Sequence, residues 1–288
     1  MKRFTKLIAI VTALSGSFSV ISSANAVSLE NSNEWQNLTV NPVQNRSTDT
    51  SGFQSLIPAF QSYVQKEGIS IPEGNVTKLD PSKLVLKDDH DVRVWFVDGG
   101  ADYHDQLAYE ATKGSNYQNG YVFTDASCKT GNNNNCDKPI DNGSLNVGDY
   151  VNLGKIASGT QLNFLLRANG AQPNDPGATN PTTGLKNIYG TNAAQNPDQL
   201  DHIVAYSLDD RYLLVGFEDL FGPKGSTDGG NLDAVADRDF NDVVFAVDFG
   251  KVAAVPEPTS VIALLGAGIV GILKLRRQKK SDEGISNS

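Results

Sequence analysis

The sequence predicts an all-β fold: an antiparallel β-sandwich or jelly-roll-like domain, with a short N-terminal helix before it and a transmembrane helix at the C-terminal end. Three observations carry this expectation. From about Lys83 onward, apolar residues recur with period two in short runs rich in β-branched and aromatic side chains: "KLVLK", "VRVWFV", "LNFLLRA", "HIVAYSL", "YLLVGFE" and "VVFAVDF". Clusters of Gly, Asn, Asp and Pro separate the runs, and long helical patterns between them are absent, which argues against an α/β arrangement. Third, 261–273 has no charged or strongly polar residue and a basic cluster follows it.

Taken in order, residues 1–26 read as a secretory signal. Lys2, Arg3 and Lys6 form a basic front, an apolar stretch runs from Leu7 to Leu14, and Ala24-Asn25-Ala26 fits a small-x-small cleavage site. The apolar run is broken by Ser and Gly and falls short of the ~20 residues that a membrane span needs. Residues 27–50 are polar and read as a flexible leader. Residues 51–89 form a helix and lead-in. Phe53, Leu56, Ile57, Phe60 and Val64 fall on one helical face, with Gly68 as a stop. Pro58 sits inside the pattern, an alternative start for the helix. Few basic residues flank that face, so it is expected to pack on the domain rather than on a membrane.

Residues 90–250 supply the sandwich, about 160 residues, ample for one core. The stretch "NGAQPNDPGATNPTTGLKN" is expected to be a long exposed loop. Cys128 and Cys136, the chain's two cysteines, lie in "CKTGNNNNC". In an exported protein such a close pair reads as a disulfide, here pinning an exposed hairpin tip.

In the tail, Pro256-Glu257-Pro258 is followed by the apolar segment, then Arg276-Arg277. The 13 residues of 261–273 cover only ~20 Å as a helix, short of a ~30 Å hydrocarbon core, and Lys274 can snorkel to extend the span. The order of these parts resembles the PEP-CTERM sorting signal of Gram-negative bacteria, placed here at 256–280. The resemblance implies a partner, an exosortase in the inner membrane that cleaves near Pro256-Glu257-Pro258. It also implies a transient membrane-anchored intermediate and a final place at the cell surface or in the extracellular matrix.

The ends conceal how acidic the body is. The chain has 24 basic and 33 acidic residues, net −9. Residues 1–26 hold three basic side chains, and 256–288 hold five basic and three acidic. The remainder, 27–255, therefore has 16 basic and 30 acidic, net −14. Such a surface repels nucleic acid and anionic lipid and tolerates divalent cations.

Three ordered blocks, "VWFVDGGADYHDQLAY", "NFLLRANG" and "VGFEDLFG…DRDFNDVVFAV", resemble the DUF4114 domain, an exported β-rich module of unknown activity. Asp105 and Gln106 depart from that pattern, and the insert "GPKGSTDGGNLDAVA" is long. The resemblance implies a fold and an oxygen-rich site, not a reaction.

The candidate site is "DRDFND". Asp237, Asp239, Asn241 and Asp242 crowd oxygens against the start of a strand. Their spacing is similar to the first half of an EF-hand loop, but Asp242 replaces the turn glycine and Asp248, in a strand, cannot wrap back. The alternative is a strand-entry loop that curls so that alternate oxygens converge on Ca²⁺, which wants six to eight of them. Glu218 and Asp219, at the end of "YLLVGFE", are expected to join from a neighbouring strand. The competing reading is that these side chains only cap turns. Asp98, Asp102 and Asp105 are read as a polar turn first and as further ligands second. His90, His104 and His202 show no metal spacing, and no GxSxG or HExxH occurs. The chain therefore reads as a non-catalytic surface or matrix module, ahead of a lectin-like calcium-dependent carbohydrate binder. An adhesin accessory domain and a polysaccharide-active enzyme follow. Extracellular polysaccharide and envelope components are the expected partners.

Overall fold

The computed structural model describes residue 29 and residues 34–64, 77–130, 136, 139–175, 177–180, 182–208, 211–228 and 231–251. The expected signal (1–26) and the tail (256–280), with Pro256, Glu257, Pro258, Arg276 and Arg277, lie outside the described residues. Among those described, no helix is long and apolar enough to cross a membrane.

The protein is mostly β-sheet. In chain order the elements are β1 (Thr39–Val40), α1 (Ile57–Gln61), β2 (Thr77–Leu79), β3 (His90–Asp98), β4 (Gln106–Lys113), β5 (Asn116–Phe123), β6 (Tyr150–Ile156), β7 (Gln161–Arg167), β8 (Ile188–Tyr189), β9 (Ile203–Ser207), β10 (Tyr212–Phe217), β11 (Thr227–Asp228), β12 (Asn231–Val235) and β13 (Val243–Asp248). One sheet has the order β2-β9-β10-β13-β3-β6 and the other β1-β5-β4-β7-β8; β11 and β12 form a small ribbon. All pairings in the two large sheets are antiparallel except β1 with β5.

The two large sheets pack face to face. Val92, Val94 and Phe96 of β3, Leu213, Val215 and Phe217 of β10, and Phe245 and Val247 of β13 meet Leu107 and Tyr109 of β4 and Leu162, Phe164 and Leu166 of β7. Phe164 and Phe245 touch across the gap edge to face, ring centroids 5.0 Å apart. The intervening residues of these strands (Trp95, Val97, Leu214, Val244, Ala246) are buried too. Their outer face is roofed by Phe53, Ile57, Phe60 and Val64. Phe53 stacks on Trp95 at 4.2 Å. The helical face thus docks on the domain, as its period implies, although Leu56 is exposed. The helix is short: Pro58 occupies its first turn, and a 3-10 turn at Phe53–Ser55 precedes it.

Several expectations need correction. Residues 34–50, read as a flexible leader, lie along the sandwich. Trp35 is fully buried with Leu29, Leu38, Tyr121, Leu165 and Ile188, and its indole N–H donates to the Leu29 carbonyl at 2.7 Å. One indole and two leucines suffice to anchor an otherwise polar segment. "KLVLK" is not a strand but an isolated bridge, Val85 to Gln161. The hairpin β4–β5 was not anticipated, because "QLAYEATK" and "NYQNGYVF" carry few β-branched residues; its signal is the two-residue turn at Gly114-Ser115, where Gly114 adopts φ +59°.

Cys128 and Cys136 form a disulfide, with Cα atoms 6.4 Å apart. It does not sit at an exposed tip. Cys128 belongs to the inter-sheet core and Cys136 packs against it. Residues 131–135 of the closed loop lie outside the described residues. Among its described residues the long loop is exposed only over 173–175 and 182–185; Asn169, Gly170, Gly177, Ala178, Lys186 and Asn187 are buried.

Candidate metal centre

One pole of the sandwich is built almost wholly from acids. β10 and β13 run antiparallel with Phe217 opposite Val243, so the residues that follow β10 lie beside those that precede β13. The Asp242 amide donates to the Phe217 carbonyl (3.1 Å), and the Asp219 amide donates to Asp242 Oδ2 (2.8 Å). β3 ends at the same pole, Asp98 opposite Val244. Its turn is closed by the Gly100 amide, which donates to the carbonyls of Asn241 (3.1 Å) and Asp242 (3.2 Å). The approach is so tight that a Cβ on Gly100 would lie 2.5 Å from Asn241 Oδ1. Asp105 arrives from the opposite sheet, just before β4. Its Oδ1 accepts the Asn169 amide at 2.7 Å.

The "DRDFND" loop curls. Arg238 (φ 58°) and Phe240 (φ 65°) both take the left-handed conformation that non-glycine residues rarely adopt. With these two residues turned, one oxygen each from Asp237, Asp239 and Glu218 lies within 4.8 Å of the other two. The Asn241 amide donates to Asp239 Oδ1 at 3.0 Å. Arg238 itself points away, over the Phe240 ring and onto the Asp201 carbonyl.

The centre is dry. Asp105, Glu218, Asp219, Asp239, Asn241 and Asp242 are all buried; Asp237 is half-buried. Both carboxylate oxygens of Glu218, Oδ2 of Asp105, Oδ2 of Asp219 and both amide atoms of Asn241 find no donor or acceptor of good geometry; the Arg238 backbone N–H approaches Glu218, and the Asp105 and Asp219 carboxyls face each other. Burial pushes Glu218 up to about 8; Arg238 opposes the shift, and the charges of Asp237 and Asp239 add to it. Burial likewise raises Asp105 to about 7. Asp219 and Asp242 are held well above the usual carboxylate range, first by burial and then by neighbouring charges, those of Asp242 and Asp105 on Asp219 and that of Glu218 on Asp242. Buried carboxylates without donors are stable only if protonated or if a cation joins them.

A second layer braces Glu218. The fully buried His202 ring places Nδ1 2.8 Å from the Glu218 carbonyl and Nε2 2.9 Å from Asp198 Oδ2, and it stacks flat on Tyr189 at 3.6 Å. Asp198 Oδ2 also accepts the Gly222 amide at 2.7 Å.

All six residues singled out from the sequence (Glu218, Asp219, Asp237, Asp239, Asn241 and Asp242) come to this pole. Of these, Glu218, Asp237 and Asp239 converge most closely. Asp105, read first as part of a polar turn, is a buried member of the cluster; Asp102 is exposed. His202 and Asp198 carried no sequence signal, since nothing in "NPDQLDH" fixes a ring 16 residues from Glu218 in sequence. Asp248 lies at the far end of β13, bound by Arg211 and near His90, remote from the loop.

A Ser-His-Asp grouping also occurs, at Ser127, His104 and Asp125, but it lacks the geometry of a proton relay. Ser127 Oγ and Asp125 Oδ2 both approach His104 Nδ1, at 3.2 and 2.8 Å, and the serine donates to Asp125 Oδ1 at 2.6 Å. A nucleophilic triad needs serine and carboxylate on opposite ring nitrogens.

Residues 156–250 match the family model of DUF4114, a domain of unknown function. Residues 254–278 match the PEP-CTERM protein-sorting motif. No curated protein and no solved structure matches the chain. The DUF4114 match begins at the end of β6 and takes in Glu218, Asp219 and the whole "DRDFND" loop. It stops short of β3, β4 and Asp105, although β3 pairs with β13. The PEP-CTERM motif implies that the protein is exported and recognised by an exosortase, with membrane-anchored sorting in a Gram-negative bacterium.

Proposed function

We propose that this exported chain is a non-catalytic cell-surface or extracellular-matrix protein whose sandwich is closed at one pole by Ca²⁺. The observation that carries the reading is Glu218: a fully buried carboxylate whose oxygens form no hydrogen bond of good geometry, with only the Arg238 backbone N–H approaching them, and within reach of Asp237 and Asp239. Hard oxygen donors of this kind suit Ca²⁺. Asn241 Oδ1, also buried and without a donor, adds a neutral oxygen at the same pole. The ion would tie the end of β10 to the loop that enters β13.

A non-catalytic role is supported by the failed triad geometry and by the depth of the acids. Glycoside hydrolysis needs two carboxyls facing a substrate across a cleft. The lectin-like alternative has one observation in its favour: half-buried Asp237 leaves the ion a single open side.

Ion binding to the folded state alone raises its stability by mass action. The full-length chain should therefore melt higher in millimolar Ca²⁺ than in chelator, and Asp239→Ala with Asp242→Ala should abolish the difference. A melting temperature indifferent to calcium in the unmutated chain would reduce the carboxylates to turn caps. Glycan-array binding that requires Ca²⁺ would select the lectin-like alternative.

A further inference from the structure

The pole opposite the acids is where the chain leaves the fold, and it carries lysines. Phe249 is buried with its amide donating to the Arg211 carbonyl (3.0 Å), and the Lys87 amide donates to the Lys251 carbonyl (3.2 Å). Ser158 Oγ donates to the Lys87 carbonyl and the Gly159 amide to that of Leu86 (2.7 Å), which joins this exit to the β6–β7 turn. The stem of Lys113, at the tip of the β4–β5 hairpin, lies over Gly159 in turn. Lys251, Lys87, Lys155 and Lys113 are thus linked across the pole, and all four are exposed. Exposed Asp88, Asp89 and Asp91 stand among them, with Asp89 3.5 Å from the Lys155 ammonium. Lys113 enters no ion pair among the described residues. Between the hairpin and the turn opens a cleft of about 290 Å³, lined by Lys113, Lys155, Asn116, Tyr117, Gln118 and Thr160, and no acid is among its described walls. Two ammonium groups, two amides and a hydroxyl around one cleft suit an anionic ligand rich in acceptor oxygens.

The sorting tail selects among such anions. Ten residue steps lead from Lys251 to Val261, the first residue of the apolar segment, and fully extended they reach at most ~36 Å. While the tail is held in a membrane, this pole therefore stays near the headgroups, at an effective concentration on the order of millimolar, where a weak contact is enough. Screening separates the two poles. The field of an anionic membrane decays over ~8 Å at physiological salt. The acidic pole lies at the other end of strands such as β3, whose nine residues span ~30 Å. The near pole alone meets the surface, and the acidic net charge of the whole body does not forbid the contact. We propose that, in the membrane-held state, the exit pole docks on anionic phospholipid, with a headgroup phosphate seated in the Lys113–Lys155 cleft. The contact turns the acidic pole away from the membrane. It rests on the sorting-motif match and is independent of the calcium reading.

The test places the full-length chain in vesicles of phosphatidylcholine, with and without phosphatidylglycerol, and attaches a fluorophore to Ser115→Cys on the hairpin turn. With Cys128 and Cys136 bridged, that thiol alone takes the label. Quenching by a nitroxide headgroup lipid should be strong only in the anionic vesicles and should fall away as monovalent salt is raised. A fluorophore on Lys224→Cys, in the loop after β10, should stay unquenched in both. Each lysine at an anionic surface is worth about fivefold in the contact equilibrium, so Lys113→Gln with Lys155→Gln should lower it about 25-fold. Equal quenching in the two vesicles, or anion-dependent quenching that the double variant retains, overturns the proposal. Quenching at position 224 instead, or quenching that needs Ca²⁺, moves the contact to the acidic pole and overturns it as well. Displacement by inorganic phosphate at constant ionic strength makes the cleft a seat for a soluble anion rather than for lipid. A chain that floats with neither vesicle removes the membrane-held state on which the docking rests. The comparison of the two vesicles with the two lysines intact decides the question even if the double variant fails to fold.

Discussion

In chelator, the stability of this protein should fall as pH rises from 5 to 7, the reverse of ordinary acid denaturation. The perturbation is the removal of cations from the acidic pole. Glu218 titrates at about 8 in the folded chain, against an ordinary 4.5, and Asp105 at about 7 against 3.8. Each folded carboxyl thus holds a proton that its unfolded counterpart has released. Where the folded state binds more protons, stability decreases with pH. The contribution is fully present below the unfolded values and is lost progressively as pH rises through the window up to the folded ones, here between about 4 and 8. Each group accounts for about 2 kcal/mol between pH 5 and 7, at most on the order of 4 kcal/mol together, and buried His202, which burial holds below its ordinary value, offsets part of that over the same window. That is a large share of a typical domain's 5–15 kcal/mol. Bound Ca²⁺ keeps the carboxylates ionised, so saturating calcium should flatten the slope. The assay is a series of urea titrations of the full-length chain at half-unit pH steps, with chelator and with calcium. Glu218→Gln should reduce the slope in chelator without abolishing it, since Asp105, Asp219 and Asp242 are raised as well. A chelator curve that is flat or rising between pH 5 and 7 would refute the burial of ionisable, uncompensated groups on which the metal reading depends.

Other outcomes follow from the same packing. Trp35→Ala empties the site that anchors residues 34–50 and should cost about 3–5 kcal/mol, read as a lower urea midpoint, with new proteolytic cleavage N-terminal to β2. Thiol labelling of unreduced, denatured protein should find no free cysteine, and reduction should lower stability by about 2–3 kcal/mol, somewhat more if the Cys128 contacts with the core loosen as well. Gly100→Ala forces a methyl group against Asn241 Oδ1 and should cost about 1–3 kcal/mol while weakening any calcium-dependent rise in melting temperature; an unchanged melt would show that the turn has room to shift.

The strands that build the inter-sheet core were legible because β-branched and aromatic residues mark them, most clearly in β3, β10 and β13. The hairpin β4–β5 was not, since its inward residues are Ala, Tyr and Leu scattered among Glu, Thr, Gln and Asn. The convergence at the pole was legible from "DRDFND" and "FED" because an antiparallel pair places the end of one strand beside the start of the next. Asp105 was harder to place: it reaches the cluster from the other layer, and no local pattern in "GGADYHD" reveals that. His202 illustrates the same limit, for its ring earns its position from Asp198, Tyr189 and a carbonyl that only the fold brings together.

The strand that leaves the acidic pole is also the strand that leads to the sorting motif. β13 runs from Val243 to Asp248, and only five residues (249–253) separate it from the PEP-CTERM match that begins at 254. It is hydrogen-bonded on both sides, to β10 and to β3. Any pull on a membrane-held tail is therefore transmitted along the axis of a central strand. Such a strand resists in shear, because both of its ladders must yield together, whereas an edge strand would peel one bond at a time. A molecule tethered in this way is loaded through a central strand, and the acidic loop lies at the far end of that strand.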